Sequence, residues 1–446
     1  MTFLNWSGIP VLAAVALLIC AFASVARHSH RSVSGLWLTG WLMILLHFVA
    51  ALFYTVPGIW GALAFTIASA SLGWAGVMYI YASIAHHKYV SSPWMLGSVA
   101  AAGTLYVTVL CLGSTLHWAL NLAALLLGIC PLVVMLASMR KDSYPLRWVI
   151  VTLIGSLSIF LLIFQNRPGI GQNLAWNSVM FSIYLGCCIV VSYEYRRATA
   201  GAFVTIAGFF FWASVFVVAP LIGTLLPHVH VESEVWNLPK FVVAVGMMLL
   251  LLEDQIEYNK HLALHDMLTG LPNRRLFEDR IAFALERSRR SGAEMALLVI
   301  DLNGFKQVND TMGHHVGDLL LQRVASIFAE RVRRSDTVSR TGGDEFSVIL
   351  EEPTNREDAE RVGRSLRELL DEPLDLGQHT VRISASVGVA VYPEDADDAE
   401  LLCIAADLRM YEAKNYALRS CPNPASTQWK SQPDQNSVIT NQLGLV

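Results

Sequence analysis

About nine apolar stretches fill the first 252 residues, where charges are few, and most of the charged residues stand from Glu253 onward. They run near 9–26, 36–56, 59–85, 94–112, 118–139, 148–164, 176–193, 200–226 and 235–252. A helix needs ~20 apolar residues to cross a bilayer. Residues 1–252 are therefore predicted to be an N-terminal all-α polytopic membrane domain in contact with lipid. Trp or Tyr stands at many of the ends, as interfacial anchoring requires.

Charge orients the spans. Arg27 and Arg31, Lys88, Arg140, Lys141 and Arg147, and Arg196 and Arg197 fall in alternate loops. The intervening loops hold only Arg167, with Lys240 at the edge of the last span. Positive loops stay cytoplasmic. The amino end is thus predicted outside, and the ninth span delivers Glu253 onward to the cytoplasm, across the inner (cytoplasmic) membrane. No cation precedes the first span, so it does not read as a cleavable signal. The cysteines show no zinc or disulfide spacing. His228, His230, Glu232 and Glu234 share one face if that loop is extended, a pattern that suits a metal, a pH sensor or a plain solvated loop. His47 lies inside the second span, where ionisable groups tend to be functional, but a neutral, hydrogen-bonded histidine is the expected state.

The charged half carries a different signal. Arg340-Thr341-Gly342-Gly343-Asp344-Glu345-Phe346 reads as a hairpin bend with two adjacent carboxylates, entering an apolar strand. Two glycines suit the positive φ of a tight turn and let a ligand lie against the backbone. The carboxylates suit a hard cation. A second apolar run, 296–300, ends in Asp301, which places an acid at the carboxyl end of a buried strand. Lys306, Asn309 and Asp318 follow in a polar, glycine-containing segment with groups for phosphate and base contacts. Helices are predicted over 276–290, 317–333, 357–370 and 400–416. Strands are predicted over 296–301, 337–340, 345–350 and 381–391.

Five ordered motifs make the segment 266–419 resemble the GGDEF family, the diguanylate cyclases. They are Asp266 to Arg275, Asp301 to Asp318, Gly342 to Phe346, Ser386 to Pro393, and Asp407 with Met410 to Lys414. The resemblance implies a C-terminal α/β domain at 266–420, palm-like, with a central antiparallel sheet flanked by helices. It implies that two GTP are joined into cyclic di-GMP with release of pyrophosphate. Asp301, the Leu302 carbonyl and Asp344 match the metal-binding positions, for Mg²⁺ or Mn²⁺, two per active site. Asp344 also matches the general base, Glu345 supports it, and Lys306 matches a phosphate-facing lysine. Asn309, His314, Asp318 and Lys414 match substrate-binding positions. Arg333 and Asp336 match an RxxD site at which cyclic di-GMP inhibits, with Arg361 or Arg364 as a second arm.

One departure follows Lys414. The family's Lys-x-x-Gly-Arg-Asn becomes Lys414-Asn415-Tyr416-Ala417-Leu418-Arg419. The arginine is displaced by one residue, which turns a helical side chain by about 100°. Arg419 is expected to reach the triphosphate only if the helix has ended.

Residues 249–265 keep helical spacing without Gly or Pro, so 253–265 is predicted to be a signalling helix continuing the last span. Each domain holds one GTP, so catalysis is expected to need a homodimer. The tail 421–446, rich in Pro, Ser, Gln and Asn, is predicted disordered. Nucleic acid is not an expected partner. Two other readings stand beside this one. The first is a degenerate GGDEF module acting as a GTP or cyclic di-GMP receptor. The second is a membrane transporter with a regulatory tail.

Overall fold

A computed structural model describes residues 8–27, 33–84, 93–112, 117–137, 145–167, 171–195, 199–229, 231–353 and 355–420. The chain divides into two units, Met1–Glu257 and Tyr258–Val446. The predicted tail 421–446 lies outside the described residues, as do Arg31, Lys88, Arg140, Lys141, Arg196, Arg197 and His230.

The regular elements among the described residues of the first unit are all helices: α1 (Ile9–Arg27), α2 (Val33–Ala51), α3 (Ile59–Ile84), α4 (Pro93–Leu112), α5 (His117–Ala137), α6 (Pro145–Phe164), α7 (Gly171–Glu194), α8 (Ala200–Leu225) and α9 (Ser233–Leu264). Among the described residues, α1, α2, α3, α7, α8 and α9 are long and apolar enough to cross a membrane, while α4, α5 and α6 hold shorter apolar stretches. Small residues let α8 and α9 approach closely, the usual device where lipid removes any hydrophobic drive between helices. A Cβ on Gly208 would meet the Val243 backbone, and one on Gly246 would meet the Thr205 backbone. Glu253 Oε1 accepts from the Gly201 N–H at 3.0 Å, so an acid on α9 satisfies a free donor at the start of α8.

Two expectations about polar groups here resolve differently. His47 Nδ1 donates to the Ala68 carbonyl at 2.9 Å, a satisfied histidine within the helix bundle. The shared face of His228, Glu232 and Glu234 does not form. His228 lies in a turn and Glu234 sits in the first turn of α9, where the helix dipole favours an acid. The boundary between the units falls inside α9, a helix of 32 residues.

The second unit adds α10 (Arg274–Ser291), β1 (Met295–Asn303), α11 (Phe305–Met312), α12 (His314–Arg331), β2 (Thr337–Arg340), β3 (Glu345–Glu351), α13 (Arg356–Asp371), β4 (Leu374–Asp375), β5 (Thr380–Val381), β6 (Ser384–Tyr392) and α14 (Ala399–Ser420). Four strands form an antiparallel sheet in the order β2-β3-β1-β6. The predicted strand 381–391 is split: β5 turns aside to pair with β4, and only Ser384 onward joins β1. The segment after Asp301, read only as a polar stretch, contains the short helix α11. Gly304 starts it at φ 80° and Gly313 ends it at φ 85°, a conformation that favours glycine.

Strand alternation gives β1 two buried faces. Met295 and Leu297 pack with Phe277, Ile281, Leu402 and Ala406 of α10 and α14. Ala296, Leu298, Ile300 and Leu302 pack with Leu320, Val324, Phe328 and Leu366 of α12 and α13. Gly388 on β6 is needed where α14 crosses the sheet, because a Cβ there would strike the Ala406 carbonyl and the Met410 backbone.

Asp395 locks the outer edge of β6 to both flanking helices. Its carboxylate accepts from Arg356 Nη2 at 2.6 Å, from Arg409 Nη1 and Nη2 at 2.6 and 2.7 Å, and from the Val391 N–H at 2.7 Å. The Arg409 hydrogen bonds, helped by Arg356 and Val391, hold this carboxyl well below the usual carboxylate range against the opposing effect of burial. A lowered native pKa contributes stability that is complete above the unfolded value of about 4 and fades as pH falls below it. Asp395→Asn is expected to cost ~2 kcal/mol at neutral pH and to flatten the loss of stability below pH ~4. Urea unfolding of the C-terminal unit within the full chain checks both, read by pulse proteolysis with a neutral protease at pH 7 and with pepsin below pH ~4.

Candidate active site

The alternation that builds the core also aims the acids. Asp301 shares the β1 face of Met295 and Leu297, the side covered by α14. Glu345 stands directly opposite it on β3. The Leu302 N–H donates to the Asp344 carbonyl at 3.2 Å, which holds the bend against the end of β1. On α14, Asp407 and Lys414 lie seven positions apart, two turns of helix, and so share a face. Lys414 Nζ reaches Asp301 Oδ1 at 2.6 Å. Asp301, Leu302, Asp344, Glu345, Asp407 and Lys414 thus meet at one end of the sheet.

Charge dominates this end. Asp301 is 5% exposed, so its negative charge needs a partner. The Glu345 carboxyl is pushed above its ordinary value, first by burial and then by Asp301, Asp344 and Asp407, with Lys414 opposing. Such a cluster of oxygens is relieved by a hard cation. Among the described residues no three His, Cys, Asp or Glu side chains gather to hold a metal by themselves. The donor set that fits is Asp301, Asp344 and the Leu302 carbonyl, with water and ligand oxygens completing a Mg²⁺-like shell.

Of the two roles expected of the glycines in the bend, the structure shows room and not torsion. Neither has a positive φ. A Cβ on Gly342 would stand 2.6 Å from Glu345 Oε2, so this glycine gives room to the acid. A Cβ on Gly343 would meet nothing within 4 Å, which leaves open space over the backbone.

The remaining predicted residues surround this end unequally. Lys306, His314 and Asp318 are exposed on α11 and α12. Asn309 is half-buried against Gly317, where a side chain would collide with its amide. Arg419 is not brought in: α14 stays helical to Ser420, so Arg419 stands about 140° around the helix from Lys414. Arg333 is exposed. Asp336 is committed to its own turn, accepting from the Arg333 N–H at 2.9 Å and the Glu351 N–H at 3.2 Å.

Sequence reasoning missed the brace behind the bend. Asp266 Oδ1 accepts from the Thr269 N–H at 2.9 Å, Thr269 Oγ1 at 2.7 Å and Arg340 Nη1 at 2.9 Å. Arg340 also donates from Nη2 to the Gly343 carbonyl at 2.7 Å, and its own N–H donates to the Pro272 carbonyl at 2.9 Å. Burial pushes the Asp266 carboxyl up, but Thr269 and Arg340 outweigh it and hold the group below its ordinary value. Arg340 stands immediately before the bend in the sequence, but its partner Asp266 is 74 positions away, so the pairing itself had no local signal. The brace predicts a coupling of ~1–3 kcal/mol between Asp266→Asn and Arg340→Met in a double-mutant cycle. Amide exchange at 341–344 in the full chain should accelerate in either single variant, and additive effects would show that no brace exists.

Residues 263–418 match the family described as "Diguanylate cyclase, GGDEF domain". The chain is 40% identical over 167 residues to diguanylate cyclase TpbB of Pseudomonas aeruginosa, covering 37% of this chain and 38% of that protein. It is 47% identical over 154 residues to the bifunctional diguanylate cyclase/cyclic di-GMP phosphodiesterase MucR of the same species, covering 34% and 22%. The crystal structure of the GGDEF domain of TpbB is 39% identical, covers 33% of this chain and 92% of that chain, and aligns with a TM-score of 0.33. The chain therefore spans less than two-fifths of the length of these two curated relatives.

Proposed function

Residues 263–418 are a GGDEF domain, and from that premise we propose that the chain is a membrane-bound diguanylate cyclase. It joins two GTP into cyclic di-GMP and releases two pyrophosphates. The observation that carries this reading is the meeting of Asp301, Asp344, Glu345 and Lys414 at one sheet end, beside the open backbone of Gly343.

Each 3′-hydroxyl attacks the α-phosphorus of the other nucleotide. A P–O bond forms, the bond to the pyrophosphate oxygen breaks, and the hydroxyl proton passes to Asp344. Bound divalent ions, two per site on the family pattern, supply Lewis-acid charge to the phosphoryl oxygens and lower the hydroxyl pKa. Asp301, Asp344 and the Leu302 carbonyl would hold them, with Glu345 in support. Lys306 faces the transferred phosphoryl group and stabilises its growing charge. Lys414 turns to the β and γ phosphates. Asn309, His314 and Asp318 hold the nucleotide, and a carboxylate suits the donor edge of guanine.

Each domain carries one nucleotide, so the reaction requires two copies face to face. The protein is then a multi-pass protein of the cytoplasmic membrane, a reading that the long apolar helices of the first unit support, with the cyclase domain on the cytosolic side, where GTP is found. Those helices regulate the encounter of the two copies. Exposed Arg333, at the turn that Asp336 braces, supplies the feedback site for cyclic di-GMP. One observation favours the receptor reading: Arg419 is turned away from Lys414, which removes a triphosphate contact.

GTP turnover by the purified full chain with Mg²⁺ decides between the two. Asp344→Ala is expected to lower it by about 10²–10⁴ while leaving nucleotide binding measurable. Retained turnover removes Asp344 from the chemistry, and absent turnover in the unmodified chain favours the receptor. Arg333→Ala should raise the cyclic di-GMP concentration for half-inhibition by roughly tenfold or more; an unchanged inhibition curve would remove Arg333 from the feedback site.

A further inference from the structure

The helical unit has a partly open cavity between α3, α4, α5, α6 and α7. None of its lining side chains is charged, and most are aliphatic. It follows α3 from Ser69 to Ile80, a rise of roughly 16 Å. Only about 80 Å³ of it admits the centre of a water-sized sphere. So small a volume over that length suits a slender ligand such as one extended alkyl chain.

Trp74 and Thr104 on its wall are paired, and Ser69 is its fully buried hydroxyl without a partner among the described residues. Trp74 Nε1 donates to Thr104 Oγ1 at 2.8 Å, and Thr104 Oγ1 donates to the Ala100 carbonyl at 2.7 Å. Ser182 is half-buried. Ser69 is 1% exposed, and its hydroxyl has no hydrogen-bond partner among the described residues. A buried hydroxyl left unmatched costs free energy that a ligand oxygen restores. Glycine opens the wall: a Cβ on Gly103 would meet nothing within 4 Å.

We propose that this cavity is a binding site for a single neutral alkyl chain ending in one hydrogen-bonding oxygen, seated with that oxygen on Ser69. The absence of any cation on the wall selects an alcohol or ester over a carboxylate, because a buried unpaired carboxylate is strongly disfavoured. The site does not depend on the cyclase reading, and its readout involves no GTP.

The test uses the full chain in lipid nanodiscs and a dodecanol carrying a diazirine at its far end. Extended, dodecanol matches the cavity in length. Labelling mapped by mass spectrometry should concentrate on the cavity-lining stretches of α3, α4, α6 and α7. Unlabelled dodecanol should compete, and dodecanoate at neutral pH at least tenfold less well. Gly103→Leu fills the cavity and should abolish the competed labelling. Ser69→Ala keeps the shape and should weaken dodecanol about five- to tenfold, with little effect on dodecane. Labelling spread evenly over lipid-facing helices, equal competition by dodecanoate, or an unchanged dodecanol affinity in Ser69→Ala overturns the proposal. Ser69→Ala keeps the test decisive if Gly103→Leu fails to fold.

Discussion

The pairing of β1 with β3 is the constraint on which the rest of the C-terminal unit depends. It sets Asp301 opposite Glu345 and brings the bend of Asp344 beside Leu302. A slip of one residue would turn Asp301 toward α12 and α13 and away from Lys414. The register is fixed by burial on both faces of β1, where Met295 to Leu298 are fully buried. Core packing therefore determines the position of a polar site, and the acids are forced together despite their repulsion. Lys414 offsets part of that repulsion, at 2.6 Å from Asp301.

Much of this was legible in the sequence because it follows period and position. An acid closing an apolar run, a bend followed by two acids, and a late helix with Lys414 are local patterns, and the antiparallel sheet with flanking helices matches the expected architecture. What escaped was non-local or depended on backbone detail. Asp407 acts on Glu345 across two elements. Asp266 and Arg340 are 74 positions apart, and no pattern announces their ion pair. The helix α11 is only eight residues long and sits between glycines, which reads as loop. The break before Ser384 is hidden in a continuous strand-like run. Gly342 and Gly343 serve space and not torsion, a distinction that only coordinates make.

The helical unit shows the opposite balance. Its helices were readable from hydropathy, since length and apolar composition are the whole signal. Their mutual packing was not, because it depends on which glycines meet which backbones. Gly201, Gly208 and Gly246 draw α8 and α9 together, and Glu253 ties the start of α8 to the charged part of α9. That bond makes the last apolar helix answer to its neighbour before the chain leaves the unit.

On the cyclase reading, a divalent ion held by Asp301 would compete with Lys414, which the structure sets 2.6 Å from that carboxylate. Both supply positive charge to the same nearly buried carboxylate, and like charges do not share it closely. On that reading, Asp301 would release Lys414 to hold an ion that came with a triphosphate, and the freed ammonium would find the phosphate oxygens. The exchange leaves every charge paired, whereas an ion arriving alone would strand the ammonium. On the cyclase reading, the ion pair therefore favours metal entry as a nucleotide complex, and the residue that stabilises the site without substrate becomes one that grips the substrate.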